Sequence, residues 1–111
     1  MVEERRAHPR LRAYHPVRLY LGNSPSVVET LTKDLALGGL RSISATVIPV
    51  STEVRIELLL SSGVEPLSVR GRAVWFRTIP DSNQFEVGIA FAGISEPDKR
   101  RLSAYLDRAP R

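Results

Sequence analysis

The chain has 111 residues, 42% of them hydrophobic and 25% charged, which is the make-up of one globular domain able to bury a core. It has no cysteine, which excludes thiol catalysis, disulfide frameworks and cysteine-ligated zinc or iron–sulfur centres. The net charge is +4, and fourteen of the sixteen basic residues are arginine, the side chain best suited to gripping planar or phosphate groups.

Residues 1–12 are polar and arginine-rich, with Arg5, Arg6, Arg10 and Arg12, and Pro9 interrupts any helix. They are expected to form a flexible, extended arm. Short strand patterns separated by turn residues follow. His15–Leu21 alternates, and Gly22–Ser26 is a turn cluster. Val27–Thr32 and Leu40–Ser44 read as strands on either side of Gly38-Gly39. Ile48–Thr52 contains Pro49 and reads as a loop. Glu53–Leu60 alternates cleanly, with Val54, Ile56, Leu58 and Leu60 on one face. Leu67–Thr78 is a long strand with Gly71 as a bend. Gln84–Ala92 places Phe85, Val87, Ile89 and Phe91 on one face, read as core, and Gly88 marks a bulge. The period then changes. Ser95-Glu96-Pro97-Asp98 has serine at an N-cap, proline in the first turn and an acid at the third helical position. Leu102, Tyr105 and Leu106 repeat at helical spacing.

The expected fold is all-β: a six-stranded antiparallel β-barrel over 15–92, the arginine-rich N-terminal arm, and one C-terminal α-helix over 95–107. Closure removes exposed strand edges, and the helix caps one end. No apolar run is long enough to span a bilayer and no signal peptide is visible, so a cytoplasmic protein without direct membrane insertion is expected. Two histidines, His8 and His15, do not make a metal site. His8 reads as a solvent-facing arm residue, and His15 opens the first strand without a further role. No G-x-S-x-G, Walker loop or H-E-x-x-H occurs, so no enzyme activity, catalytic residue, metal or cofactor is expected. Acidic residues such as Glu53, Glu57, Glu65 and Glu86 read as outer-face charges. Trp75, on a long strand, reads as core or barrel-rim packing.

Two segments stand apart. Arg6-Ala7-His8-Pro9-Arg10 is an R-x-x-x-R pattern preceded by Arg5, and Asp34-Leu35-Ala36-Leu37-Gly38-Gly39 lies between two strands. In this order and spacing they resemble the PilZ domain family, whose motifs are R-x-x-x-R in an arm and [D/N]-x-S-x-x-G on the barrel. The resemblance covers nearly the whole chain, including Gly71-Arg72-Ala73-Val74-Trp75 and the Ser-Glu-Pro-Asp helix start.

The resemblance implies a bacterial receptor or adaptor for the second messenger cyclic di-GMP that changes conformation on binding and passes the signal to a partner protein. The implied ligand-binding residues are Arg5, Arg6, Arg10, Asp34, Ala36 and Gly39. Arg6 and Arg10 match the motif arginines, which can pair with guanine O6 and N7 or clamp phosphate. Arg5 is placed to stack on a second guanine, so one or two ligands per protomer are implied. Asp34 accepts from guanine N1–H and N2–H. Gly39 is expected to supply a positive φ and close backbone approach. Ala36 stands where the family pattern has serine. A lost hydrogen bond to a charged group is worth about 1.5–3 kcal/mol, roughly 10- to 100-fold in affinity. That substitution supports an alternative: a PilZ-fold adaptor, for example in pilus or motility control, that binds the nucleotide weakly or not at all. A second alternative is a small basic barrel that binds nucleic acid, which the sequence pI near 10.1 permits. Outer-face acids and the lack of interleaved surface aromatics argue against it.

Overall fold

The computed structural model describes residues 10–11, 14–22, 24–61 and 63–108, with residues 10–11 placed as backbone. Seven strands and one helix follow in order: β1 Arg10–Leu11, β2 Pro16–Leu21, β3 Val27–Ala36, β4 Gly39–Ser44, β5 Glu53–Leu58, β6 Leu67–Thr78, β7 Phe85–Ile94 and α1 Glu96–Arg108. All pairings are antiparallel. The sheet order is β1-β3-β2-β5-β6-β7-β4, and β4 pairs back to β3. Strands β2–β7 therefore close into the six-stranded barrel expected from the sequence, and β1 is a two-residue addition on β3.

β3 is four residues longer than its alternation indicated. Its first half pairs with β2 from Val27 to Leu31. Its second half turns to β4, with a register shift between Thr32 and Asp34. The shift lets one strand serve two neighbours, and it breaks the period-two pattern that would have shown the extension. Leu37-Gly38 then makes a two-residue hairpin turn, with Ala36 opposite Gly39.

Inward residues of every long strand fill the barrel. Leu19, Leu35, Ile48, Ile56, Leu58 and Leu67 are fully buried. Fully burying such a side chain is worth about 1.5–3 kcal/mol. α1 adds Leu102 and Leu106 to the same core. Its N-cap is Ser95, whose Oγ accepts the Asp98 N–H at 3.3 Å. The Asp98 carboxylate accepts the Ser68 N–H of β6, also at 3.3 Å, and so ties the helix start to the barrel.

Two sequence readings change, those of His15 and Phe85, and the alternatives left open for Trp75 narrow to one. His15 is 4% exposed and joins the helix to the barrel. Its Nε2 shares a 2.8 Å hydrogen bond with the Tyr105 hydroxyl, and its N–H donates to Thr32 Oγ1 at 3.0 Å. Phe85 is half-buried and meets Phe76 edge to face at 6.4 Å, outside the main core cluster. Trp75 lies at the rim, 39% exposed, with its indole over Gly88.

Candidate ligand-binding face

Cross-strand partners share a face of a sheet, so the register places the motif residues. One row runs Arg10–Ala36–Gly39–Ala90–Arg72 across β1, β3, β4, β7 and β6. The next runs Asp34–Arg41–Gly88–Trp75. The intervening residues Leu35, Leu40, Ile89 and Ala73 point into the core and are buried. Both rows therefore lie on the outside of the barrel.

Small side chains at Ala36, Gly39 and Ala90 leave a low floor on this face. Gly88 does not extend it, because the Trp75 ring fills the space where a Gly88 side chain would be. Gly39 has no positive φ, contrary to the sequence expectation. Its reason is packing: a Cβ there would run into the Ile89 carbonyl of β7. Glycine at this place lets β4 and β7 close the barrel.

Beside the floor lies a largely buried ionic cluster. Asp34 is 6% exposed, and its Oδ2 is 2.9 Å from Arg41 Nη2. Arg41 Nη1 is 3.5 Å from Glu86 Oε2, which also accepts from Lys33 Nζ at 3.2 Å. Arg77 Nε donates to Glu86 Oε1 at 2.7 Å, and its Nη2 lies at the same distance. Burial pushes the Glu86 carboxyl upward, but hydrogen bonds from Arg77 and Lys33 and the charges of Arg41 and Arg77 outweigh it. The net direction is down, and Glu86 is held ionised. Among the described residues, Arg41 Nε is buried without a hydrogen-bond partner.

The structure thus brings Arg10, Asp34, Ala36 and Gly39 onto one face. Arg5 and Arg6 lie outside the described residues. Arg41, Glu86, Lys33 and Arg77 escaped the sequence reading. Arg41 had a signal, since it lies two residues from Gly39 on the same strand face. Glu86 had none: an acid at an outward strand position reads as solvent-exposed, and only the three cations gathered from β3, β4 and β6 explain its burial. Among the described residues no cluster of histidine, aspartate or glutamate has the make-up of a metal site.

The chain thus forms a closed barrel with a hairpin motif on its outer wall, paired to a two-residue arm strand. The sequence profile of the PilZ domain matches residues 4–108, and the chain belongs to the PilZ domain family. No curated protein matches the sequence. Among solved structures it is similar to the inhibitor of motility MotI/DgrA from Bacillus subtilis, with TM-score 0.82 and 17% identity over 96% of this chain. It spans 51% of that chain, about half its length. The PilZ domain of YcgR from Escherichia coli, solved with c-di-GMP, is similar with TM-score 0.69 and 17% identity, covering 95% of this chain and 93% of that one. The K. pneumonia MrkH–c-di-GMP complex is similar with TM-score 0.69 and 19% identity, covering 95% of this chain and 52% of that one.

Proposed function

We propose that this protein is a cyclic di-GMP receptor that binds the dinucleotide on the Ala36–Gly39–Ala90 floor. The observation that carries this reading is the pairing of Arg10 with Ala36, which joins the arginine arm to the hairpin motif although 25 residues of chain separate them. YcgR and MrkH, which share the fold, were solved with c-di-GMP. The chemistry fits. Arg6 and Arg10 supply planar cationic donors for phosphate and guanine O6/N7. Asp34, beside Arg41, matches the acidic motif position, and a carboxylate accepts from donors of the guanine N1–H and N2–H kind. Ala36 and Gly39 give the purine room to approach the sheet. Arg5 captures a second, stacked ligand. Closure of the arm over the nucleotide reshapes this face and passes the signal to a downstream protein.

Ala36 favours a second reading, in which the fold serves as a protein-interaction adaptor that responds weakly to the nucleotide. The inhibitor of motility MotI/DgrA shares the fold. Isothermal titration calorimetry with cyclic di-GMP separates the two, with GMP and single-stranded DNA as controls. Saturable heat with the cyclic dinucleotide alone, abolished in Arg6→Ala and Arg10→Ala, supports the receptor. Absence of heat, with no thermal shift, supports the adaptor. Heat with DNA that fades steeply with salt returns the nucleic-acid reading.

A further inference from the structure

Arg41 lies between two acids. Asp34 is its cross-strand partner in the β3–β4 hairpin, so both side chains leave the barrel on the same outer face. Arg41 Nη2 is 2.9 Å from Asp34 Oδ2, and its Nη1 is 3.5 Å from Glu86 Oε2 on β7. Glu86 does not need Arg41 as a counterion. Arg77 meets Glu86 Oε1 through two nitrogens at 2.7 Å, and Lys33 Nζ meets Oε2 at 3.2 Å. Arg41 Nε, meanwhile, is buried without a hydrogen-bond partner among the described residues. A lysine could neutralise either acid without burying such a donor. What arginine adds is a rigid planar fork held at both tips. Asp34 is the group that gains from it. It follows the register shift after Thr32, where pairing with β4 is irregular, and an aspartate carboxylate turns broadly about its terminal torsion.

We propose that Arg41 is a positioning residue for purine selectivity: anchored on Glu86, it fixes the plane of the Asp34 carboxylate so that this face takes guanine and rejects adenine. The inference rests on the receptor reading above and deepens it. Guanine offers a carboxylate two adjacent donors, N1–H and N2–H. Adenine offers one amino donor beside an N1 acceptor. A carboxylate free to turn can meet the single amino group of adenine as well as one donor of guanine. A carboxylate held in one plane is matched to the guanine pair and is set against the adenine N1 lone pair. Selectivity of this kind comes from geometry, and the geometry here is supplied from β7 through Arg41. Arg41 acts through Asp34 and needs no contact of its own with the ligand.

Calorimetric titrations of the full chain with cyclic di-GMP and with cyclic di-AMP test this. Arg41→Lys keeps the charge and loses the fork. It is expected to weaken cyclic di-GMP binding about tenfold or more and to narrow the preference over cyclic di-AMP, with the far-UV circular dichroism unchanged. Asp34→Asn is expected to do the same. Adding Arg41→Lys to Asp34→Asn is expected to cost no further affinity, because the carboxylate through which the arginine works is gone. Should Arg41→Lys fail to fold, Glu86→Gln carries the same test, since it releases the other tip of the fork and is expected to narrow the preference too. A wild-type preference in the variant that folds overturns the proposal. So does an additive loss in the double variant, which would make Arg41 a ligand contact or a general support. A wild-type chain that binds neither dinucleotide overturns the receptor reading itself, and the positioning role with it.

Discussion

Gly39 of β4 lies so close to the Ile89 carbonyl of β7 that no side chain fits between them. Its position in the hairpin motif is thus a requirement of barrel closure before it is a requirement of any ligand. Gly39→Ala is expected to lower stability by about 1–3 kcal/mol, the cost of forcing atoms into a packed interior. The denaturant midpoint reports this, with no ligand present. An unchanged midpoint would mean that β4 and β7 can part without penalty.

Ala36 sits on the same face, one residue pair from the turn, and is half-buried. Ala36→Ser adds a hydroxyl where the family pattern has one. Cyclic di-GMP affinity is expected to rise about tenfold or more, as for a hydrogen bond to a charged group. A neutral or weakened titration would place the ligand elsewhere.

Glu86 is 3% exposed and answers three cations. Its folded-state carboxyl lies below its unfolded value, so the stability it contributes is full above the usual carboxylate range. That contribution is lost as pH falls through the folded value. Glu86→Gln leaves Lys33, Arg41 and Arg77 without their shared anion and is expected to cost about 3 kcal/mol at neutral pH. The difference between the two proteins should shrink toward strongly acidic pH. Parallel stability–pH curves would assign the acid limb to other groups.

Tyr105 links α1 to His15 by a 2.8 Å hydrogen bond and an edge-to-face contact at 5.4 Å. Tyr105→Phe keeps the ring and removes the hydroxyl. It is expected to cost about 1–2 kcal/mol, since buried His15 Nε2 loses that partner. Urea unfolding followed by circular dichroism measures it, and an unaltered midpoint would mean the contact is incidental.

The fold was legible where one residue pattern carries one instruction. β6 reads correctly at both ends because Leu67, Val69 and Ala73 alternate with polar or exposed neighbours, with Gly71 at the bend. The helix start reads from Ser95, Pro97 and Asp98 alone, since capping is local chemistry. The hairpin motif, expected between two strands, lies mostly within them: Asp34–Ala36 end β3, Gly39 begins β4, and only Leu37-Gly38 makes the turn. What stayed hidden is non-local. The reach of β3 to Ala36 depends on a register shift that only pairing with β4 creates. The burial of Glu86 depends on cations drawn from three other strands. His15 gains its part in the structure from a tyrosine ninety residues away. Of the candidate site, the sequence marked Ala36 and Gly39 of its floor but neither Ala90 nor the ionic cluster that holds Asp34.

The hairpin also partitions mutational constraint. Along β3 and β4, Asp34, Ala36, Gly39 and Arg41 lie on the outer wall, while Leu35 and Leu40 lie in the core. Neighbouring codons therefore answer to different demands. A saturation scan across this stretch should resolve into two interleaved phenotypes, poor accumulation at Leu35 and Leu40 and altered recognition at Asp34 and Ala36. Gly39 is the one outward position that belongs to the first group. On the proposed binding mode, substitutions on this wall can retune recognition one residue at a time without touching the packing directly behind it.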